Sequence, residues 1–282
     1  MPPHTADLYV PDGTPPDDAL ARTTHLGIGA HQDDLEFMAF HGILACFQKD
    51  TQWFGGITCT DGAGSSRTGV YADFTDEQMC EVRRKEQRTA AQVGGYSFIA
   101  QLNFPSAEVK DPHHPALRDS LLALLRSTRP KVVYTHNLAD KHDTHIGVAV
   151  ATIQAIRALP PESRPEAVFG CEVWRNLDWL CDAEKVVHDV GARDHLAAAL
   201  NGVFDSQVAG GKRYDLGVMG RRRANATFFE SHTIDHTDAL AFAMDLTPLA
   251  KDETLDIAAF VDGFVERFRQ DVQTRLRSHL EA

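Results

Sequence analysis

Residues 26–36, Leu-Gly-Ile-Gly-Ala-His-Gln-Asp-Asp-Leu-Glu, constrain the fold more than any other stretch of the chain. The apolar run from Leu26 to Ala30 is typical of a buried strand, and it stops abruptly at a histidine and two aspartates. Apolar residues at helical spacing follow from Leu35 onward, so Asp34 lies near the start of a helix. Because ligands bind at the carboxyl ends of strands in open α/β sheets, this stretch predicts a binding site.

Strand-like and helix-like segments alternate through the first half of the chain, which predicts an α/β fold with a mostly parallel sheet covered on both faces. Strands are predicted at 24–30, 53–60, 97–104 and 131–135, and helices at 34–48, 76–93, 115–128 and 145–158. The helix from Asp76 has a reciprocal cap in Thr75 and Gln78, and Gly94-Gly95 end it. The second half is less regular. It contains predicted strands at 167–174 and 185–190, a helix at 193–204, and a long amphipathic helix from Ile257.

The length of 282 residues allows one large domain or two small ones, and no linker divides the chain. The proline-rich residues 1–22 are predicted to form an extended arm, and residues 23–282 a single domain.

The net charge of −12 argues against nucleic acid, which needs a basic footprint, and against anionic membrane surfaces. The chain has no signal-peptide pattern at its N-terminus and no apolar run of about 20 residues. Five cysteines without a CxxC pair are typical of reduced thiols, so we expect a cytoplasmic protein.

A second polar cluster, His142-Asp143-Thr144-His145, follows the strand at 131–135. Two imidazoles and a carboxylate that leave one coordination position open form a common catalytic zinc arrangement. We therefore assign His31, Asp34 and His145 as metal ligands, Asp33 as the general base and His142 as the acid. The alternative is structural, because aspartates at a helix start are favoured by the helix dipole alone.

These motifs resemble a known family. Residues 30–36 are similar to the AHPDD(x)E signature of the PIG-L/LmbE family of zinc-dependent N-acetylglucosamine deacetylases, and residues 142–145 resemble its second motif. Further matches are Thr60-Asp61-Gly62, the helix from Arg83 to Gly95, and elements near Asp189, Ser206-Gln207 and 225–230. The resemblance spans about 24–232.

The resemblance implies a Rossmann-like three-layer α/β sandwich and hydrolysis of the N-acetyl group of an amino sugar. It also implies one Zn²⁺ per chain, although another divalent metal fits the same ligand set. The family's ligands, base and acid fall on the residues already assigned from their spacing.

This sequence departs from the family pattern at three positions. Gln32 replaces the usual proline, Ser106 replaces a common acid, and Thr144 replaces the acid expected to support the catalytic histidine. We expect Asp140, or else Asp143, to take over from that acid by raising the pKa of His142, which makes Asp140 a third catalytic candidate.

Four further residues are candidates for contacting the substrate: Arg83, Arg67, Arg222 and His232. Arg222 belongs to the basic run 221–223, which either holds an acidic substrate group or forms solvated surface.

The functional hypothesis is a metal-dependent deacetylase of an N-acetylglucosamine-type sugar or its conjugate. The expected partner is this small molecule, with no nucleic acid or membrane, and the protein is compatible with a homo-oligomer. The alternatives are an amidase acting on a small non-sugar amide and a non-catalytic sugar-binding protein.

Overall fold

An eight-stranded mixed sheet runs through the computed structural model, which describes residues 6–280. The strands are β1 (Asp7–Tyr9), β2 (His25–Gly29), β3 (Phe54–Thr60), β4 (Phe98–Phe104), β5 (Val132–His136), β6 (Ala167–Cys171), β7 (Val186–Asp189) and β8 (Leu240–Asp245). Their order across the sheet is β1-β4-β3-β2-β5-β6-β8-β7. Strands β2 to β6 are parallel, whereas β1 and β8 run antiparallel to their neighbours.

Twelve α-helices connect and cover these strands within the described residues. They are α1 (Pro16–Ala21), α2 (Asp34–Met38), α3 (Phe40–Cys46), α4 (Asp76–Gly94), α5 (Ser106–Lys110), α6 (Ala116–Thr128), α7 (Asp143–Arg157), α8 (Asp194–Gly202), α9 (Asp205–Val208), α10 (Tyr214–Phe228), α11 (Thr247–Lys251) and α12 (Ile257–Leu280). Leu121 of α6 and Val148 of α7 belong to one apolar core, and Phe40 of α3 and Leu200 of α8 belong to another. The predicted sandwich is confirmed.

The long helix α4 begins and ends where its sequence predicts. Thr75 and Gln78 form the reciprocal cap at its start. Gly95 ends it in the left-handed conformation at φ 63°, where a side chain would be strained.

The region after β2 differs from its prediction. The single helix expected at 34–48 is two short helices that break at Ala39, where φ is −104° and ψ is 18°. Arg222 donates hydrogen bonds to the carbonyl groups of Glu36 and Phe37 at 2.8 and 3.0 Å, so it satisfies the end of α2. This tertiary contact cannot be inferred from helical spacing.

Seven of these strands and helices were not predicted: β1, α1, α5, α9, α10, β8 and α11. Helix α10 and strand β8 lie in the irregular second half, and α1 lies in the segment expected to be an extended arm. Ala19 and Leu20 of α1 are buried, and β1 pairs with β4, so this part of residues 1–22 is built into the domain surface. The division at residue 22 stays a prediction.

The order in which the chain adds strands to the sheet reverses at its centre, between β2 and β5. Strand β2 pairs with β3 on one side and with β5 on the other, so the loops after β2 and β5 leave the same edge. This is the topological switch point at which open α/β sheets bind ligands. The clusters at 31–34 and 136–145 therefore meet.

Candidate metal centre and active site

His31, Asp34 and His145 converge at the carboxyl edge of β2 and β5. His31 Nδ1 lies 3.3 Å from Asp34 Oδ2 and 3.3 Å from His145 Nε2. His145 Nε2 is 3.5 Å from the same carboxylate oxygen. Asp34 and His145 are buried, whereas the His31 side chain is 24% exposed, so the group opens towards solvent at His31. The structure thus brings the three predicted ligands together.

These separations fit a tetrahedral metal ion. Ligand atoms at zinc bond lengths of about 2.0–2.2 Å lie about 3.3–3.6 Å apart in tetrahedral geometry. The donor set is two nitrogens and one oxygen, which suits Zn²⁺ and related divalent ions. Two histidine nitrogens 3.3 Å apart repel each other unless a proton or a cation lies between them. The residues present therefore fit the metal that the motif implies.

A second histidine and aspartate group, His136, Asp140 and His145, lies beside the first. His136 Nε2 accepts the backbone N–H of Ala30 at 2.9 Å, so the ring is neutral with its proton on Nδ1 and has no lone pair left for a metal. Burial lowers the pKa of His136 to about 4, which agrees with a neutral ring. His136 also stacks on His145, with ring centroids 3.8 Å apart. We assign His136 a packing role.

The carboxylate of Asp140 contacts the ring of His145 and not that of His142, which corrects the expectation from the sequence. Its Oδ2 lies 3.5 Å from His145 Nδ1 and accepts the backbone N–H of Trp174, and its Oδ1 accepts the backbone N–H groups of residues 141 and 142. A carboxylate behind a metal-binding histidine orients the ring and raises its basicity. Asp143, the other candidate, is exposed.

His142 lies at the cavity wall without a carboxylate partner on its ring. Its Nδ1 is buried and has no hydrogen-bond partner within residues 6–280. Burial, together with the nearby rings of His145 and His31, lowers the pKa of His142. The carboxylates of Asp34 and Asp140 offset only part of this lowering, so the predicted net rise in the pKa of His142 is wrong.

Asp33 is buried beside the proposed ligands, and its polar groups contact residues outside that set. Its backbone has φ 97°, which is unusual for a residue with a side chain and indicates local strain. Arg83 donates to its Oδ2 at 3.0 Å, and Gln87 accepts its backbone N–H at 3.1 Å. Burial raises the pKa of Asp33, and Arg83 offsets part of that rise. A raised pKa suits a group that accepts a proton near neutral pH.

Asp34 shows the opposite behaviour. Burial alone would raise its pKa, but the nearby His145 holds it well below its usual range. Their surroundings thus shift the pKa values of these two adjacent aspartates in opposite directions.

A cavity of about 550 Å³ opens over this centre. His31, Asp33, Asp34 and His142 lie in its wall, together with Thr144. An aromatic wall faces them: the ring centroid of Trp174 lies 6.2 Å from that of His142 and 6.0 Å from that of Tyr214, and the ring centroid of Phe37 lies 5.4 Å from that of Tyr214.

The four predicted substrate-contacting residues separate into two groups. Arg83 and Arg222 line the cavity, but Arg83 is paired with Asp33, and Arg222 holds the end of α2. Arg67 donates to its own loop and to Asp76, outside the cavity wall. His232 is exposed and also lies outside that wall.

Sequence reasoning missed Gln87, Trp174, Tyr214 and Lys212. The signal for Gln87 was present, because Met79, Arg83, Gln87 and Ala90 recur at helical spacing and form a buried face of α4 that includes polar residues. Trp174 and Lys212 lie in loops, and Tyr214 begins a helix that was not predicted, so spacing gave no signal for these three.

None of the described helices is long and apolar enough to cross a membrane. Residues 26–156 match the family model described as PIG-L: GlcNAc-PI de-N-acetylase. The uncharacterized deacetylase YaiS of Escherichia coli (strain K12) is 28% identical over 143 residues, which is 48% of this chain and 69% of that protein. The resemblance inferred from the motifs is confirmed.

Three solved structures share the fold. The conserved protein TT1542 of Thermus thermophilus matches with a TM-score of 0.59 at 20% identity, covering 78% of this chain and 93% of that one. The N,N'-diacetylchitobiose deacetylase of Pyrococcus horikoshii matches with a TM-score of 0.58 at 18% identity, covering 79% of this chain and 84% of that one. The 4-carboxy-2-hydroxymuconate hydratase GalB of Pseudomonas putida matches with a TM-score of 0.60 at 17% identity, covering 80% of this chain and 96% of that one. Since this fold carries both reactions, the site must decide the function.

Proposed function

We infer, from the PIG-L/LmbE resemblance of residues 26–156, that this chain is a metal-dependent hydrolase that removes the N-acetyl group of an N-acetylglucosamine-type sugar or its conjugate. The observation that carries the proposal is the convergence of three ligand atoms 3.3–3.5 Å apart beside a separate buried carboxylate, Asp33. A site that only bound sugar would need neither feature.

His31, Asp34 and His145 would hold the metal, which supplies Lewis-acid polarisation of the acetyl carbonyl and acidifies a water. Asp140 keeps the His145 ring oriented through Nδ1. Zn²⁺ is the proposed ion, one per chain, because the donors are nitrogen and oxygen in near-tetrahedral spacing.

The chain's own groups move the protons. As the water oxygen bonds to the acetyl carbon, Asp33 takes the water's proton; Arg83 holds its Oδ2, which leaves Oδ1 for this role. When the carbon–nitrogen bond breaks, His142 gives a proton to the leaving nitrogen. The products are acetate and the free amine. Trp174 and Tyr214 offer aromatic faces against which a sugar ring packs.

The test is acetate release from a panel of N-acetylglucosamine glycosides and small non-sugar N-acetyl amides. The protein is stripped of metal and reloaded with Zn²⁺, Mn²⁺ or Fe²⁺, and its metal content is measured. We expect acetate from the sugars in proportion to bound metal. Turnover of the non-sugar amides alone would favour the amidase alternative, and metal binding without any acetate would overturn the enzymatic proposal.

A further inference from the structure

The cavity wall reverses the charge balance of the chain. The whole sequence has 28 Lys and Arg residues against 40 Asp and Glu residues. Among the residues that line the cavity, the cationic side chains are Arg83, Lys110, Lys212, Arg221 and Arg222, whereas the anionic ones are Asp33, Asp34 and Glu172. A positive cavity in an acidic protein concentrates anionic ligands.

The three cavity arginines are already engaged. Arg83 pairs with Asp33, Arg221 donates to the carbonyl oxygen of Val173, and Arg222 donates to the end of α2. Their charge contributes to the field in the cavity, but their positions are accounted for by the fold.

Lys110 and Lys212 are different, because neither ammonium group has a hydrogen bond or ion pair in the part of the chain that the structure describes. Both residues are exposed and line the cavity at its solvent side. Lys110 ends α5, and Lys212 lies before α10, so two separate segments each bring one ammonium group to the cavity.

Lys212 is placed by a fixed turn. Its backbone N–H donates to the carbonyl oxygen of Gln207 at 2.9 Å, and its own carbonyl accepts from Tyr214 at 2.8 Å. A Cβ on Gly210 would lie 1.8 Å from the Ser206 carbonyl oxygen, so this turn requires glycine there. The backbone on both sides of Lys212 is therefore constrained, although its side chain reaches solvent.

The ammonium group of Lys212 lies 5.2 Å from the ring centroid of Trp174, and the centroid of that ring lies 6.2 Å from that of His142. Trp174 thus neighbours both the proposed catalytic histidine and the lysine. A sugar whose acetamido group reaches His142 and whose ring packs near Trp174 would extend its substituent towards Lys212.

We propose that Lys212 and Lys110 form a subsite for an anionic group, a carboxylate or a phosphate, on the aglycone of the substrate. This inference rests on the proposed deacetylase function and names the substrate class of the same cavity. The ammonium groups pair with the anion by charge-assisted hydrogen bonds, and Trp174 holds Lys212 towards the cavity.

The experiment compares matched ligands. Carboxymethyl N-acetylglucosaminide is tested against its neutral carboxamide, and N-acetylglucosamine 1-phosphate is tested against the methyl glycoside. Acetate release gives kcat/KM, and calorimetric titration of the metal-loaded protein gives Kd independently of turnover. Variants are Lys212→Met and Lys110→Met, with Lys49→Met as the control, since Lys49 is exposed and lies outside the cavity wall.

We expect the anionic member of a pair to be preferred, and each cavity-lysine variant to reduce that preference roughly threefold, the usual scale for an exposed ion pair. Raising the salt concentration should also reduce the preference for the anionic ligand. Lys49→Met should leave that preference unchanged. Preference in only the carboxylate pair or only the phosphate pair identifies the anion.

Equal use of anionic and neutral ligands, with acetate released from both, would overturn the subsite and leave the deacetylase standing. Absence of acetate from every ligand would overturn the deacetylase. In that case, Kd values that show no preference for the anion, or a preference that both lysine variants retain, would overturn the subsite as well.

Discussion

The side-chain oxygen of Gln87 accepts the backbone N–H of Asp33 at 3.1 Å, and its amide nitrogen donates to Glu36 Oε1 at 2.9 Å. Tyr96 donates to the same carboxyl oxygen at 2.6 Å, and burial raises the pKa of Glu36 to about 8. The side chains of Gln87, Glu36 and Tyr96 are all buried, and together they form a polar support beneath the proposed base, Asp33.

Replacing Gln87 with leucine should impair catalysis more than folding. The buried N–H of Asp33 loses its acceptor, which costs about 1–3 kcal/mol of stability. The strained backbone at Asp33 then relaxes, and we expect kcat to fall about tenfold to a hundredfold with metal content unchanged. Gln92→Leu, at an exposed position on the same helix, is the control. A loss of kcat no larger than the loss of folded protein would contradict this role.

The two adjacent aspartates should separate metal binding from proton transfer. Asp34 Oδ2 lies within 3.5 Å of the ligand nitrogens of His31 and His145, whereas Asp33 is paired with Arg83. We expect Asp33→Asn to abolish acetate release while metal content stays near that of the wild type. Asp34→Asn and His145→Ala should each lower metal content, measured by mass spectrometry of the metal. Equal metal loss from both aspartate variants would mean that the roles are assigned wrongly.

Asp140→Asn should weaken metal retention. Its carboxylate lies behind His145, and removing such a partner typically lowers metal affinity about 10–100-fold. The measurement is metal loss in a graded series of chelator concentrations, with the exposed Asp143→Asn as the matched control. The sequence alone predicts the other outcome, a downward shift of the alkaline limb of the pH–rate profile with metal content unchanged. Observing that shift would restore Asp140 to the support of His142.

Acid should destabilise the protein through a buried histidine pair that includes none of the proposed metal ligands. His41 and His188 stack with ring centroids 4.0 Å apart, and burial lowers the pKa of both, that of His188 to about 3. Below about pH 6.5 each of these histidines takes up a proton in the unfolded chain but stays neutral in the folded chain. The free energy of unfolding therefore falls as the pH falls. The slope is about 1.4 kcal/mol per pH unit for each such histidine.

Denaturant unfolding at pH 7, 6, 5 and 4 measures this effect. His188→Phe should flatten the decline in the free energy of unfolding below about pH 6.5, because the phenyl ring has no proton to take up. His113→Phe, at an exposed position, should leave the decline unchanged. An identical decline in wild type and His188→Phe would show that other groups cause the acid sensitivity.

The sequence by itself determined the elements whose signals are local. The strand from His25, the capped helix α4 and the alternation of strands and helices follow from periodicity and capping residues, which act within a few positions. The three metal-ligand candidates could also be predicted, because parallel strands end at a common edge and their following residues must meet there.

Only the tertiary structure decided which partner each polar side chain takes. Asp140 is close in sequence to both His142 and His145. Its Oδ1 accepts the backbone N–H of His142, and this turn directs its Oδ2 to the ring of His145. Arg222 belongs to a basic run, yet it is buried at the end of α2. Lys212 reaches the cavity because a glycine turn places it beside Trp174. Each of these outcomes depends on contacts between distant segments, and such contacts leave no periodic pattern in the sequence.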